Sequence, residues 1–225
     1  ADPPRDAATV PADDILPKTL ADALDSDLYT HQAEAIQKLQ AGNNVTVATS
    51  TSSGKTWVYT LYYCLQKLQN PDARALFLYP TKALSADQEQ TVNNLFEQLG
   101  IDASAETYDG DTRPDRKRPI RNNKDVVISN FAGINQYLNQ HMKWRKVFAN
   151  CDLVVIDECH TYTGVHGMHV AWTLRRLRRI LDHYDSDPQV VCTSATVGNP
   201  AEHSARLVGE PFAVVDADGS PRGER

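Results

Sequence analysis

Short apolar runs recur along the chain, separated by stretches in which apolar positions return with the period of a helix. The runs at 45–48, 75–79, 125–129, 153–156 and 190–193 predict strands, and the run LVVI at 153–156 lacks polar alternation, as a strand covered on both faces does. Helical spacing begins after Thr30, a cap candidate, with Ala33, Ile36 and Leu39 on one face. It returns from Pro80 through Leu84, Leu95 and Leu99 to Gly100, and again at Val170, Leu174, Leu177 and Leu181. Alternation at 103–108 predicts a further strand, followed by a charged loop; 200–208 reads as a closing helix and 212–215 as a last strand. Residues 1–19 carry Pro3, Pro4, Pro11 and Pro17 among aspartates and predict a flexible lead-in, as 216–225 predicts a flexible tail. The domain is expected over 20–215, with strands and helices alternating in an α/β manner.

Two of the strand ends carry chemistry. After 45–48 come small hydroxyl residues and then Ser53-Gly54-Lys55-Thr56, opening a helix. A phosphate needs inward-pointing N–H groups, a glycine where a Cβ would obstruct, a cation for the outer oxygens and a hydroxyl for Mg²⁺. Thr51, Ser53, Gly54, Lys55 and Thr56 are therefore the candidate phosphate-binding set, although Thr49 stands where the generic motif has its first glycine. The run at 153–156 ends in Asp157 and Glu158. Such a strand delivers acids to one sheet edge, where Asp157 can hold Mg²⁺, as Thr56 can, and Glu158 can orient and deprotonate a water. Lys55, Asp157 and Glu158 are thus the catalytic candidates for nucleotide hydrolysis.

At these residues the chain resembles the superfamily 2 helicases of the DEAD/DEAH-box type. Asp157-Glu158-Cys159-His160 is a DECH variant of their acidic box and Ser194-Ala195-Thr196 matches their third motif. Leu28-Tyr29-Thr30-His31-Gln32 is similar to the adenine-reading glutamine motif, the segment 79–84 to motif Ia, and Tyr108-Asp109-Gly110-Asp111-Thr112 to motif Ib. YDGDT, the run at 160–165 and the arginine-rich stretch at 174–180 resemble the YprA-like DECH-box helicases linked to DNA repair. The resemblance covers about 28–207. It implies a RecA-like three-layer α/β domain with a mostly parallel central sheet and helices on both faces, binding ATP with Mg²⁺. It further implies that Gln32 reads adenine, and that His160, Ser194 and Thr196 couple the acidic box to nucleic-acid binding. Thr81, Lys82, Gly110, Ser129 and Asn130 are the expected track for the backbone of a single strand; Thr81 can equally be a helix cap. DNA rather than RNA follows from the branch resemblance alone. Two departures stand out: serine replaces a loop glycine at Ser50 or Ser52, and Ser129-Asn130-Phe131 lacks a proline usual in that motif.

Length and composition narrow the rest. At 225 residues and 41% apolar content the chain suits one large domain. No second phosphate-loop series follows Thr196, so it is expected to be the N-terminal motor domain of a longer helicase, needing a second RecA-like domain for full activity. The formal charge of −6 excludes a uniformly basic coat for nucleic acid. Its acid excess rests on aspartate, with lysine sparse relative to arginine, which is compatible with a halophilic source. Arg113, Arg116, Lys117, Arg118, Arg121 and Lys124 form the most basic stretch, and Arg175, Arg176, Arg178 and Arg179 fall off the apolar stripe; both read first as solvated faces. Cys64, Cys151, Cys159 and Cys192 show no paired spacing and are expected as buried thiols, and no zinc motif includes His160, His166 and His169. No leader or apolar span is visible, so a soluble cytoplasmic protein without a membrane partner is expected. Two other readings share these motifs: a double-stranded DNA translocase that does not separate strands, and a non-catalytic nucleic-acid- or partner-binding domain with a degenerate loop.

Overall fold

Strands that are apolar on both faces have to be covered on both, and the fold does this with one parallel sheet between two helical layers. The computed structural model describes residues 5–221. Its strands are β1 (Thr9–Val10), β2 (Leu28–Tyr29), β3 (Val45–Ala48), β4 (Arg74–Leu78), β5 (Ala105–Thr107), β6 (Val126–Ser129), β7 (Cys151–Ile156), β8 (Gln189–Ser194) and β9 (Ala213–Val215). Seven of them form a parallel sheet in the order β5-β6-β4-β7-β8-β3-β9, while β1 and β2 pair as an antiparallel ribbon. The helices are α1 (Lys18–Ala21), α2 (Thr30–Gln40), α3 (Lys55–Gln69), α4 (Lys82–Gln98), α5 (Pro114–Asn123), α6 (Phe131–Tyr137), α7 (Arg145–Phe148), α8 (Gly164–His183) and α9 (Pro200–Val208).

The two-residue side-chain period of the strands sorts the core into two halves. Val45, Val47, Ala75, Phe77, Val126, Ile128, Leu153 and Val155 face a layer that includes α2, α3 and α4. Leu76, Leu78, Val127, Val154 and Ile156 face the other layer, with Ile120 of α5, Ile134 of α6, Phe148 of α7, the stripe of α8 and Leu207 of α9. This is the RecA-like three-layer α/β arrangement expected. Because the strands are parallel, every strand-to-helix turn that bears a motif emerges at the same edge.

Four expectations change. From Arg5 onward the lead-in joins the fold: Ala12, Ile15, Leu16 and Leu20 are buried, and β1 pairs with β2, so spare apolar positions outweigh the prolines. Asp218 to Ser220 of the expected tail bond to the phosphate-loop region, as described below; residues 1–4 and 222–225 lie outside the described residues. The charged stretch at 113–124 is largely helix α5, entered through Pro114 in its first turn, a position where proline loses no hydrogen bond. Thr30 is the first residue of α2 and not its cap; the amide of Tyr29 there is taken by Gln32 Oε1 at 2.9 Å.

Candidate functional site

The phosphate loop is held by its own hydroxyls. Thr49 Oγ1 and Ser53 Oγ lie 2.7 Å apart, and Ser53 donates from its hydroxyl (2.8 Å) and its amide (3.2 Å) to Ser50 O. Gly54 adopts φ +77°, and a Cβ there would fall 2.7 Å from Gln32 Nε2, so both backbone and neighbour require glycine. Lys55 is buried, and its Nζ donates to Thr49 O at 3.0 Å and Ser50 O at 2.7 Å. Burial lowers its pKa, while the carboxylates of Glu158, Asp157 and Asp218 pull the other way. The ammonium therefore sits inside a loop of carbonyls with the acidic box in its field. Thr56 Oγ1 donates to Gln88 Oε1 at 3.1 Å and accepts from Tyr59 at 3.2 Å. Thr51 and Ser52 are exposed at the loop apex.

The register Ile156↔Cys192 between β7 and β8 carries Asp157 alongside Thr193. Thr193 Oγ1 donates to Asp157 Oδ1 and accepts from Glu158 N at 3.2 Å, bridging the two acids. Burial raises the pKa of Asp157, the Thr193 bond opposes that, and Glu158 adds to it. A partly desolvated carboxylate of this kind gains from a cation, as a magnesium ligand would. Glu158 stands at φ +49°, a left-handed conformation that costs a residue with a Cβ about 1–2 kcal/mol. Thr161 stabilises it, donating to Glu158 O from its amide (2.9 Å) and its hydroxyl (2.8 Å).

Of the expected coupling residues, His160 lies beside Glu158, while the hydroxyls of Ser194 and Thr196 make no bond to either acid. His160 Nδ1 accepts from Ala195 N at 3.2 Å and lies 3.2 Å from Glu158 Oε2. A nitrogen accepting from Ala195 has no proton to give, so its approach to Glu158 is proximity and not a hydrogen bond. Ser194 Oγ donates to Ala195 O at 2.7 Å, and Thr196 is exposed. The hydroxyl that reaches the acids belongs to Thr193, which sequence reasoning passed over. Only the strand register distinguishes it from its neighbours.

Gln32 is buried and has both polar ends engaged, Oε1 by Tyr29 N and Nε2 by Gly54 O at 3.1 Å. It borders a cleft of about 400 Å³ lined by Asp25, Tyr29, Ser52, Trp57 and Gln98 among others, wide enough for a base. His31, also missed, is fully buried: Nε2–H donates to Ser53 O at 2.9 Å and Nδ1 accepts from Gly219 N at 3.1 Å. That bonding pattern defines a neutral tautomer, and burial lowers the pKa.

The expected nucleic-acid track runs along the neighbouring half of the edge, after β5, β6 and β4. Thr81 caps α4, its Oγ1 accepting from Leu84 N at 3.2 Å. Lys82 Nζ pairs with Asp111 at 2.6 Å and stands 3.9 Å from the Cβ position of Gly110. Asn130 caps α6, accepting from Gly133 N at 2.9 Å. Ser129 is fully buried and its hydroxyl donates to Tyr108 O at 2.7 Å, so its side chain faces the core and only its backbone, at the strand-to-loop junction, is left for the expected contact. The basic stretch of α5 is mostly paired, Arg116 and Lys124 with Glu106 and Arg113 with Asp115, and Arg121 donates to the Tyr108 hydroxyl. Arg178 pairs with Glu210, and Arg176 donates to Asn135 and Asn139. All four cysteines are free and buried. No helix among the described residues is long and apolar enough to cross a membrane.

The chain is similar in sequence and fold to known proteins. The family model for the DEAD/DEAH box helicase matches residues 29–203. The uncharacterized ATP-dependent helicase YprA of Bacillus subtilis is 42% identical over 99% of this chain and 30% of its own length. The ATP-dependent helicase HRQ1 of Saccharomyces cerevisiae is 37% identical over 88% of this chain and 19% of its own. The crystal structure of the DUF1998 helicase MrfA bound to DNA and AMPPNP superposes with a TM-score of 0.94 at 42% identity, covering 98% of this chain and 32% of that one. The chain thus spans about a third or less of the length of these relatives. With the phosphate loop, the acidic box and the third motif at one edge of a RecA-like sheet, and the family model covering all three, the chain belongs to the DEAD/DEAH box helicases.

Proposed function

We propose that this chain is the ATP-binding motor domain of an ATP-dependent helicase acting on nucleic acid, DNA in the first instance, in DNA repair, and that it works against a second RecA-like domain. The observation that carries the reading is the placement of Lys55: buried, bonded to loop carbonyls, and facing both Asp157 and Glu158. Phosphate oxygens would take over the donors that Lys55 now gives to Thr49 O and Ser50 O, with amides around Ser53 and Gly54 completing the cradle and Thr51 at its apex. Thr56 and Asp157 would hold Mg²⁺, whose charge, when bound, offsets that of the phosphates. Glu158 would accept a proton from the attacking water, and Thr193 fixes the spacing of the two acids. Gln32 and the cleft beside Tyr29 would take the base. Thr81, Lys82, Gly110 and Asn130 would meet the backbone of a single strand, with His160, Ser194 and Thr196 between the two halves. The AMPPNP and DNA bound by MrfA support both parts of the reading.

Calorimetric titration with ATP and Mg²⁺ tests it. Lys55→Ala is expected to abolish binding, and Glu158→Gln to retain it while suppressing turnover in a protein that carries both motor domains. Equal affinity of wild type and Lys55→Ala defeats the assignment.

A further inference from the structure

Beyond β9 the chain turns back to the phosphate loop and holds it at two points. Asp218 Oδ2 accepts from Ser50 N at 3.1 Å, and its Oδ1 accepts from Ser220 N (2.9 Å) and Ser220 Oγ (2.7 Å). The next residue reaches the loop through His31: Gly219 N donates to His31 Nδ1, and His31 Nε2 donates to Ser53 O. Gly219 O in turn accepts from Ala8 N at 2.9 Å, and Arg5 donates to Ser220 O at 3.0 Å, so the segment is pinned from its far side by the start of the described chain. Ser50 and Ser53 are the two residues whose mutual bonds close the loop.

We propose that Asp218 is a positioning residue for the phosphate loop, and that the segment 218–220 sets the loop's shape and thereby its affinity for nucleotide. This rests on the loop being the nucleotide site. A loop of serines and threonines, without the glycine usual in this position, gains its shape from side-chain bonds. Each residue those bonds immobilise in advance is one less to order when a phosphate binds. A carboxylate beside an anion site also has an opposite effect, because it repels phosphate. Geometry is taken to outweigh repulsion here: the carboxylate has four charged or polar donors around it (Ser50 N, Ser220 N, Ser220 Oγ and, at 3.9 Å, Arg5) that offset its charge in part, and what remains also favours the ammonium of Lys55.

Three variants separate the two effects. Asp218→Ala removes bond and charge. Asp218→Asn removes the charge and keeps one of the two acceptor oxygens, the other being replaced by an NH2 that cannot accept from Ser50 N or Ser220 N. Gly219→Ala keeps the charge but displaces the segment, since its Cβ would lie 2.2 Å from Thr30 Oγ1 and 3.0 Å from Ala8 O. Titration with ADP and Mg²⁺ should show about tenfold weaker binding for Asp218→Ala and Gly219→Ala, on the order of one charge-assisted bond, and a smaller loss for Asp218→Asn, which keeps part of the bonding. Tighter binding by both Asp218 variants, or unchanged binding by Gly219→Ala, overturns the proposal. Hydrogen exchange across residues 49–54 needs no nucleotide and is read on the same proteins: it should speed up by about tenfold in the first and third variants. Unchanged exchange there overturns the proposal whatever the nucleotide does, whereas faster exchange with no ADP binding by any form, wild type included, indicts the nucleotide reading and leaves the positioning role supported. A variant that fails to fold is replaced by Ser220→Ala, which loosens Asp218 from one side and is expected to raise exchange in the same residues.

Discussion

Replacing Thr193 with valine keeps the volume of the side chain and deletes the hydroxyl that joins the two acids. In the structure Oγ1 donates to Asp157 Oδ1 and accepts from Glu158 N. A hydrogen bond to a charged acceptor contributes about 1.5–3 kcal/mol, and an amide left without its partner in a half-buried site costs about 1–3 kcal/mol more. The expected loss of stability is therefore roughly 2.5–6 kcal/mol, or a fall in melting temperature of roughly 5–24 °C for a domain of this size. If the hydroxyl also fixes the acids for turnover, the share that acts on Asp157 corresponds to a 10- to 150-fold fall in kcat, about 1.5–3 kcal/mol of barrier. Melting is followed by circular dichroism, and turnover by phosphate release from a protein joining this domain to the second motor domain proposed above. Thr193→Ser should recover most of both. Ser194→Ala loses only a short contact to its neighbour's carbonyl and should fall within about 1 kcal/mol of wild type. If Ser194→Ala or Thr196→Ala matches the loss in Thr193→Val, the bridging role assigned here to Thr193 is wrong.

Two further outcomes are expected. Burial holds the pKa of His31 below the usual 6.5, so the unfolded chain takes up that proton first. Stability should be level above about pH 7 and fall as the pH drops below 6.5 towards the folded value. The raised pKa of Asp157 slopes the other way in the carboxylate range, so the His31 contribution is read as the difference between wild type and His31→Gln in urea unfolding at a series of pH values. For nucleic acid, Lys82→Glu places a third acid beside Asp109 and Asp111 and should weaken binding to single strands of every sequence alike. Fluorescence anisotropy across a salt series should give a slope of about −1 to −3, at roughly −0.7 per phosphate contact; strong sequence preference, or loss only on changing the arginines of α8, moves the track elsewhere.

The apolar runs foretold the five central strands because burial on both faces leaves no other pattern for them. The loop, the acids and the edge they share followed from that and from side-chain chemistry. What stayed hidden was long-range. Thr193, Ser194 and Thr196 are three hydroxyls within four residues, and only the pairing of β8 with β7 picks out the first. Which way the Ser129 side chain points, inward to Tyr108 O, was likewise set by its strand position. His31 and Asp218 lie 187 positions apart, and nothing local marks either as part of the loop's support. Proline and aspartate content suggested loose ends on both sides, but a handful of apolar side chains and one buried histidine were enough to fasten them.

At the middle of the sheet β4 lies beside β7, and there the two halves of the functional edge touch. Asp157 N donates to Leu78 O, and the next amide along, Tyr79 N, donates to Ser129 O. The acids and the expected track thus hang on the two sides of one peptide group, Leu78–Tyr79, with no hinge between them. A parallel sheet covered on both sides does not flex locally at such a point, because sliding one strand end would break ladder bonds and unpack both cores together. The domain should therefore behave as a rigid body, and on the function proposed above whatever shifts when nucleotide is exchanged would move against this edge as a whole.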